Sequence, residues 1–163
     1  QGRDQGVAAN GLIEGVEAVK IRDRVAELVR KKNIAVIEDG ADGVNEPLSK
    51  AIVLAKRADL AVEFHFNAGP ASATGIEVLS LPKNKEKSQR LAEAINVALS
   101  LPLRGAKGWK SDTEGQHSRL AFCRAGGLVA EVCFLTNTED VASYKENFER
   151  MCSAIADAIA LSV

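Results

Sequence analysis

A three-layer α/β domain, with a mostly parallel sheet flanked by helices, is predicted by three observations on these 163 residues. Short apolar runs at 34–37, 58–65, 75–81 and 128–134 alternate with longer segments whose apolar residues recur at helical spacing. The connections are short, and no repeat, low-complexity tract or linker divides the chain, so residues 1–163 read as one domain. Apolar residues make up 46% of the sequence and charged residues 26%, which allows a buried core and excludes a disordered or collagen-like chain.

Each element has its own signal. Between 14 and 32, Val16, Val19, Val25, Leu28 and Val29 alternate with charges, which predicts an amphipathic helix. Residues 34–37, Ile-Ala-Val-Ile, read as a buried strand ending in the glycine- and aspartate-rich loop 39–43. Pro47 suits a first helical turn, and Leu48, Ile52 and Ala55 mark a helix to about Arg57. A strand through His65 would then close a βαβ unit, parallel to 34–37. Residues 75–81 read as a strand and 85–99 as an amphipathic helix. The polar stretch 102–118 holds the only tryptophan and is the candidate substrate loop. Residues 120–122 suggest a short strand, 128–134 a strongly apolar one and 144–161 a closing helix.

Charge and composition narrow the partners. The formal net charge of -1 offers no basic footprint, so neither nucleic acid nor an anionic membrane is expected. There is no run of 18 apolar residues to span a bilayer, and the first six residues do not make a signal peptide. Cys123, Cys133 and Cys152 are odd in number and irregularly spaced, which predicts small buried hydrophobes and not a disulfide framework or zinc site.

Two ionisable residues interrupt strands that are otherwise apolar: His65 in AVEFHFN and Glu131 in LVAEVCF. A carboxylate in a core strand must be compensated, because its desolvation costs several kcal/mol. Both residues fall in the later halves of their strands, where open α/β sheets place their ligand crevice. A third feature is Glu14, at the start of the first helix behind a glycine-rich entry. Each has a plainer reading: a core imidazole bonded to a carbonyl for His65, an ion pair with an arginine such as Arg124 for Glu131, and an exposed first-turn carboxylate favoured by the helix dipole for Glu14. Taken together they suit a catalytic zinc, with Glu14 and His65 as ligands and Glu131 as the non-ligating carboxylate that moves protons.

The segments GRDQGVAANGLIEG, ADLAVEFHFNAG with its H-x-N core, GIEV, RGAK and LAFCRAGGLVAEVCFLTN follow one another along the chain. In this order and spacing the chain resembles the zinc-dependent N-acetylmuramoyl-L-alanine amidases of bacterial cell-wall remodelling and of bacteriophage endolysins, the amidase type 3 family. The resemblance implies a sheet flanked by helices and hydrolysis of the amide between N-acetylmuramic acid and L-alanine in peptidoglycan. It implies Glu14 and His65 as zinc ligands, Glu131 as the catalytic carboxylate and Asn67 as the H-x-N asparagine that orders its loop. It also implies a first strand ending in a histidine ligand ahead of Gln1. His117, the only other histidine, is read as a substrate contact, a substitute ligand or a solvated loop residue. A monomer acting on the wall outside the cytoplasmic membrane, with no wall-binding module in these residues, is the expectation. The competing readings are an amidase-fold module that only binds muropeptide or regulates a partner, and an unrelated α/β protein with a satisfied core histidine.

Overall fold

The computed structural model describes residues 5–40, 47–114 and 120–163. It opens with a small hairpin, β1 (Ala8–Ala9) and β2 (Leu12–Ile13), turned by Asn10 and Gly11. Their φ values of 49° and 75° suit the two left-handed positions of a type I′ turn, which Asn-Gly adopts readily. Helix α1 (Glu14–Arg30) follows directly and buries Ile21, Val25, Ala26 and Val29. Then come α2 (Leu48–Ala55), β3 (Val62–Asn67), β4 (Glu77–Ser80), α3 (Lys85–Leu99) and β5 (Trp109–Ser111). The short α4 (Ala121–Arg124), β6 (Leu128–Phe134), α5 (Thr138–Glu146) and α6 (Phe148–Ala160) complete the chain.

The sheet has the order β3-β6-β4-β5. β3 runs parallel to β6 and β4 parallel to β5, while β4 is antiparallel to β6. The expected mostly parallel sheet is therefore present. On one face Phe64, Val78, Ala130 and Val132 join Ile21, Ile95, Met151 and Ile155 in the main core, roofed by α1 and α3 with α6 packed across both. On the other face Leu79 and Val129 meet Ala55 of α2 and Phe122 and Cys123 of α4 in a smaller cluster. Side chains alternate across a strand, so Glu63, His65, Glu77 and Glu131 share this second face with Leu79 and Val129.

Several expectations are corrected. Residues 34–37 are not a strand: no strand among the described residues runs beside them, and Ile37 is 77% exposed. Side chains hold that segment as a loop instead, with Arg30 donating to Val36 O and Arg22 to Asp39 O. The βαβ unit therefore does not form, and β3 finds its parallel partner in β6. Residues 120–122 lead into helix α4, because Phe122 and Cys123 must both reach the smaller core cluster. The closing helix is two helices that meet at Asn147, and the first is capped by Asn137, which accepts from the Glu139 and Asp140 amides. The stretch 102–118 contains β5, and His117 lies outside the described residues.

Candidate active site

Glu14 is positioned by the segment before the hairpin. Its amide donates to Val7 O at 2.9 Å and the Gly15 amide to Gln5 O at 3.2 Å, folding residues 5–7 back along the helix start. The Val7 amide then donates to Glu14 Oε2 at 2.9 Å. Glu14 Oε1 accepts from the Phe66 amide at 3.3 Å and lies 2.9 Å from His65 Nδ1. Gly6 stands against this carboxylate with φ of 67°, and a Cβ there would come within 2.3 Å of Glu14 Oε2. Glycine meets both demands.

The sheet register sets the rest. His65 on β3 is opposite Glu131 on β6, and Glu131 is opposite Glu77 on β4. One rung across three neighbouring strands thus carries three ionisable side chains on one face. Past His65, the step to Asn67 matches the longer step from Glu131 to Phe134, the count of a β-bulge. The bulge marks where the strands open at the carboxyl end of β6, the usual crevice of such sheets.

The electrostatics of the rung follow from its burial. Glu131 is 6% exposed, and its Oε2 has no hydrogen-bond partner among the described residues. Burial pushes its carboxyl up to about 7; the charge of His65 opposes the rise, and the charges of Glu14, Glu77 and Glu63 reinforce it. Burial would favour a neutral His65, but the bond to Glu14, the contact with Glu63 and the charges of Glu63 and Glu131 outweigh it and raise the ring to about 10. Burial likewise works against the Glu14 carboxylate. His65 and the Val7 and Phe66 amides prevail and hold it below its ordinary value. Glu77, 7% exposed, is bonded through Oε2 to Arg104 Nε and Lys110 Nζ, both at 2.6 Å. Burial raises the Glu77 carboxyl, and these two cations overcome that rise. Asn67 is close enough to help lower it, although Asn67 Nδ2 makes no hydrogen bond among the described residues.

Glu14, His65 and Glu131 are thus brought to one place, and the plainer readings do not hold. His65 Nδ1 faces a carboxylate instead of a carbonyl, the Glu14 side chain is only 12% exposed, and no ion pair joins Glu131 to Arg124. The sequence reading assigned no role to Gly6, Glu63, Glu77, Arg104 or Lys110. Glu77 and Arg104 fall in the GIEV and RGAK segments, so the signal was an acid in one strand and cations in the next loop.

A zinc ion is tested by the donors themselves. An imidazole nitrogen and a carboxylate oxygen converge beside a buried carboxylate oxygen that lacks a partner, and this set fits zinc in chemical kind. Among the described residues no third histidine, cysteine, aspartate or glutamate completes a cluster of three.

A layered α/β domain with acid–base groups gathered at the carboxyl ends of parallel strands has the make-up of a hydrolase. The comparisons specify which. The family model described as N-acetylmuramoyl-L-alanine amidase matches residues 1–161, and the chain belongs to this family of enzymes, whose substrate is peptidoglycan. A protein from Neisseria meningitidis, assigned as an N-acetylmuramoyl-L-alanine amidase, is 42% identical; the match covers 97% of this chain and 88% of that one, with a TM-score of 0.89. The catalytic domain of CwlV, an N-acetylmuramoyl-L-alanine amidase from Bacillus (Paenibacillus) polymyxa, is 19% identical with a TM-score of 0.82, over 98% of this chain and 91% of that one, and shares the fold. YqiI of Bacillus subtilis, described as uncharacterized, is 29% identical over 97% of this chain and 76% of its own length.

Proposed function

We propose that this protein hydrolyses, with the help of zinc, the amide between the lactyl group of N-acetylmuramic acid and the L-alanine of the stem peptide, remodelling or lysing the wall from outside the cytoplasmic membrane. The observation that carries this reading is the convergence of Glu14 and His65 beside the unpartnered Glu131 oxygen. Glu14 and His65 would hold the metal, with a third donor from outside the described residues. When bound, zinc supplies Lewis acidity, which polarises the scissile carbonyl and makes water a better nucleophile. Glu131, buried and poised near neutrality, takes the proton of the attacking water and returns it to the departing L-alanine amine. The Val7 and Phe66 amides fix the Glu14 carboxylate, and Asn67 O accepts from the Leu135 amide, tying the loop after β3 to the end of β6. Residues 1–163 act as one catalytic domain and as a monomer. The outer edge of β3 has no strand partner among the described residues, which supports a further strand there that delivers the third donor.

A second reading rests on the two-donor count: a muropeptide-binding module without turnover. Purified peptidoglycan separates the two. The protein should release peptides with free L-alanine amino termini, leaving free lactyl groups, should stop when chelated and should resume with zinc. Activity untouched by exhaustive chelation sinks the zinc mechanism, and new reducing sugar ends would indicate glycosidase action. Tight muropeptide binding by the zinc-loaded protein without release would establish the binding module. No helix among the described residues is long and apolar enough to cross a membrane, so the action on the wall is assigned from the substrate alone.

A further inference from the structure

Next to Glu131, the rung ends in a cluster that the hydrolytic step does not use. Glu77 Oε2 receives two cations, Arg104 Nε and Lys110 Nζ, so the trio carries a net positive charge. The guanidinium is held from two further sides. Its Nη1 donates to Thr74 O at 3.1 Å, and its Cζ lies 4.9 Å from the centre of the Phe134 ring. The edge bound to Glu77 is Nε, so Nη2 is left without a hydrogen bond among the described residues. The Arg104 side chain is 36% exposed and that of Lys110 19%. The position is equally specific. β4 is antiparallel to β6, so Glu77 at the start of β4 stands opposite Glu131, midway along β6, whose last residue Phe134 lies against the Arg104 guanidinium. A cation pair whose single counter-ion among the described residues is the buried Glu77 beneath it, with one guanidinium nitrogen unbonded among those residues, is a receptor for an anion.

We infer that Arg104 and Lys110, presented by Glu77, bind a carboxylate on the stem peptide beyond the scissile amide and make the enzyme selective for peptides in which that carboxylate is free. The inference rests on the amidase reading above and specifies its substrate. Glu77 is a positioning residue, while Arg104 and Lys110 touch the ligand. A free carboxylate gains charge-assisted bonds that its amide cannot, and the amide would also leave the cation edge unpaired.

The test uses two muramoyl-L-alanyl-D-glutamyl peptides that differ only in whether the glutamyl α-carboxyl is free or amidated. The protein should prefer the free acid by about tenfold or more in kcat/KM, mostly through KM, and the preference should shrink at high salt. Arg104→Gln and Lys110→Gln should bring the ratio of the two substrates toward one. Arg104→Lys, which keeps the charge but loses the fork, should leave an intermediate ratio. Lys107→Asn, on the exposed loop nearby, should keep the full ratio. Equal kcat/KM for the two peptides in the unmodified protein overturns the inference while the amidase reading stands, as does a preference that survives both glutamine substitutions. If neither peptide is cleaved, the amidase reading fails instead. Calorimetry of the same peptides on Glu131→Gln then decides the anion site: tighter binding of the free acid upholds it, and equal or absent binding overturns it.

Discussion

His65 Nδ1 and Glu14 Oε1 lie 2.9 Å apart, closer than two donors on one zinc, which tetrahedral bonds of about 2.0–2.1 Å would hold about 3.3 Å from each other. The hydrogen-bonded pair keeps both side chains aimed at one point. Chelation should leave the fold intact. The His65 value is raised, so its contribution is complete below about 6.5 and is lost as pH rises through about 10; the lowered Glu14 value makes its share fade as pH falls below the ordinary carboxylate range. In Glu131→Gln, where the titration of that carboxyl does not overlie the pair's, thermal melts of the chelated protein should show a plateau between about pH 4.5 and 6.5 that declines toward both limits. A chelated protein already unfolded at pH 7 would contradict this.

With Glu131 proposed as the proton-transfer group, Glu131→Gln should lower turnover by about 100-fold or more and leave the zinc content of the loaded protein unchanged. Metal content and peptide release measured on one preparation check both halves. Loss of zinc in the variant would move Glu131 into the ligand set, and undiminished release would remove it from the chemistry.

The same substitution has a stability signature. In the folded protein the Glu131 carboxyl is raised to about 7 from 4.5, so the folded state holds more protons between these values and stability falls as pH rises across them. Glu131→Gln should match the unmodified, chelated protein near pH 4 and exceed it at pH 8, by roughly 1–3 kcal/mol. Urea titrations at the two pH values read the difference. A variant that is the weaker of the two at pH 8 would show that the Glu131 carboxylate is compensated after all.

Much of this site was legible because it breaks patterns. Glu131 in a fully buried strand and His65 in an apolar one violate the rule for core strands, and the register then places them opposite each other. The fold was legible where periodicity is strong: the helix expected over 85–99 is α3 itself. It was not legible at 34–37, where an apolar tetrapeptide finds no neighbouring strand among the described residues and a strand exists only through its ladder. The hairpin that leads into Glu14 did carry a signal, Asn10-Gly11 between two short apolar pairs, which read only as a glycine-rich entry. Arg104 and Lys110 lie in a polar loop and on a three-residue strand; their importance comes from converging on Glu77, a relation of tertiary structure.

Away from the site, Tyr144 donates from its hydroxyl to Glu17 Oε2 at 2.9 Å, and Lys20 holds the other oxygen at 2.7 Å. Glu17 is 5% exposed, so Tyr144→Phe removes a bond to a buried charge while keeping the edge-on ring contacts with Phe66 and Phe148. A loss of about 1.5–3 kcal/mol of stability is expected, with zinc content unchanged. Chemical denaturation checks it. A neutral result would mean that Lys20 and solvent satisfy Glu17 without the phenol.

The last prediction concerns a residue with no side chain of its own, Gly6. Gly6 packs its bare α-carbon against the Glu14 carboxylate, in a backbone conformation that strains any side chain. Gly6→Ala would drive a methyl to within 2.3 Å of Glu14 Oε2, the oxygen that the Val7 amide holds. The carboxylate must swing or residues 5–7 must lift, and either response separates Glu14 Oε1 from His65. The three atoms nearest the methyl all belong to Glu14, and none belongs to the hydrophobic core. Global stability should therefore fall little, while zinc affinity drops by about 10–100-fold, the scale seen when groups that orient a ligand are disturbed. Competition with a chromogenic chelator measures the affinity, and a thermal melt of the chelated variant measures the fold. Wild-type affinity in Gly6→Ala would show that the segment before the hairpin does not hold Glu14 in place, and that the helix alone positions this donor.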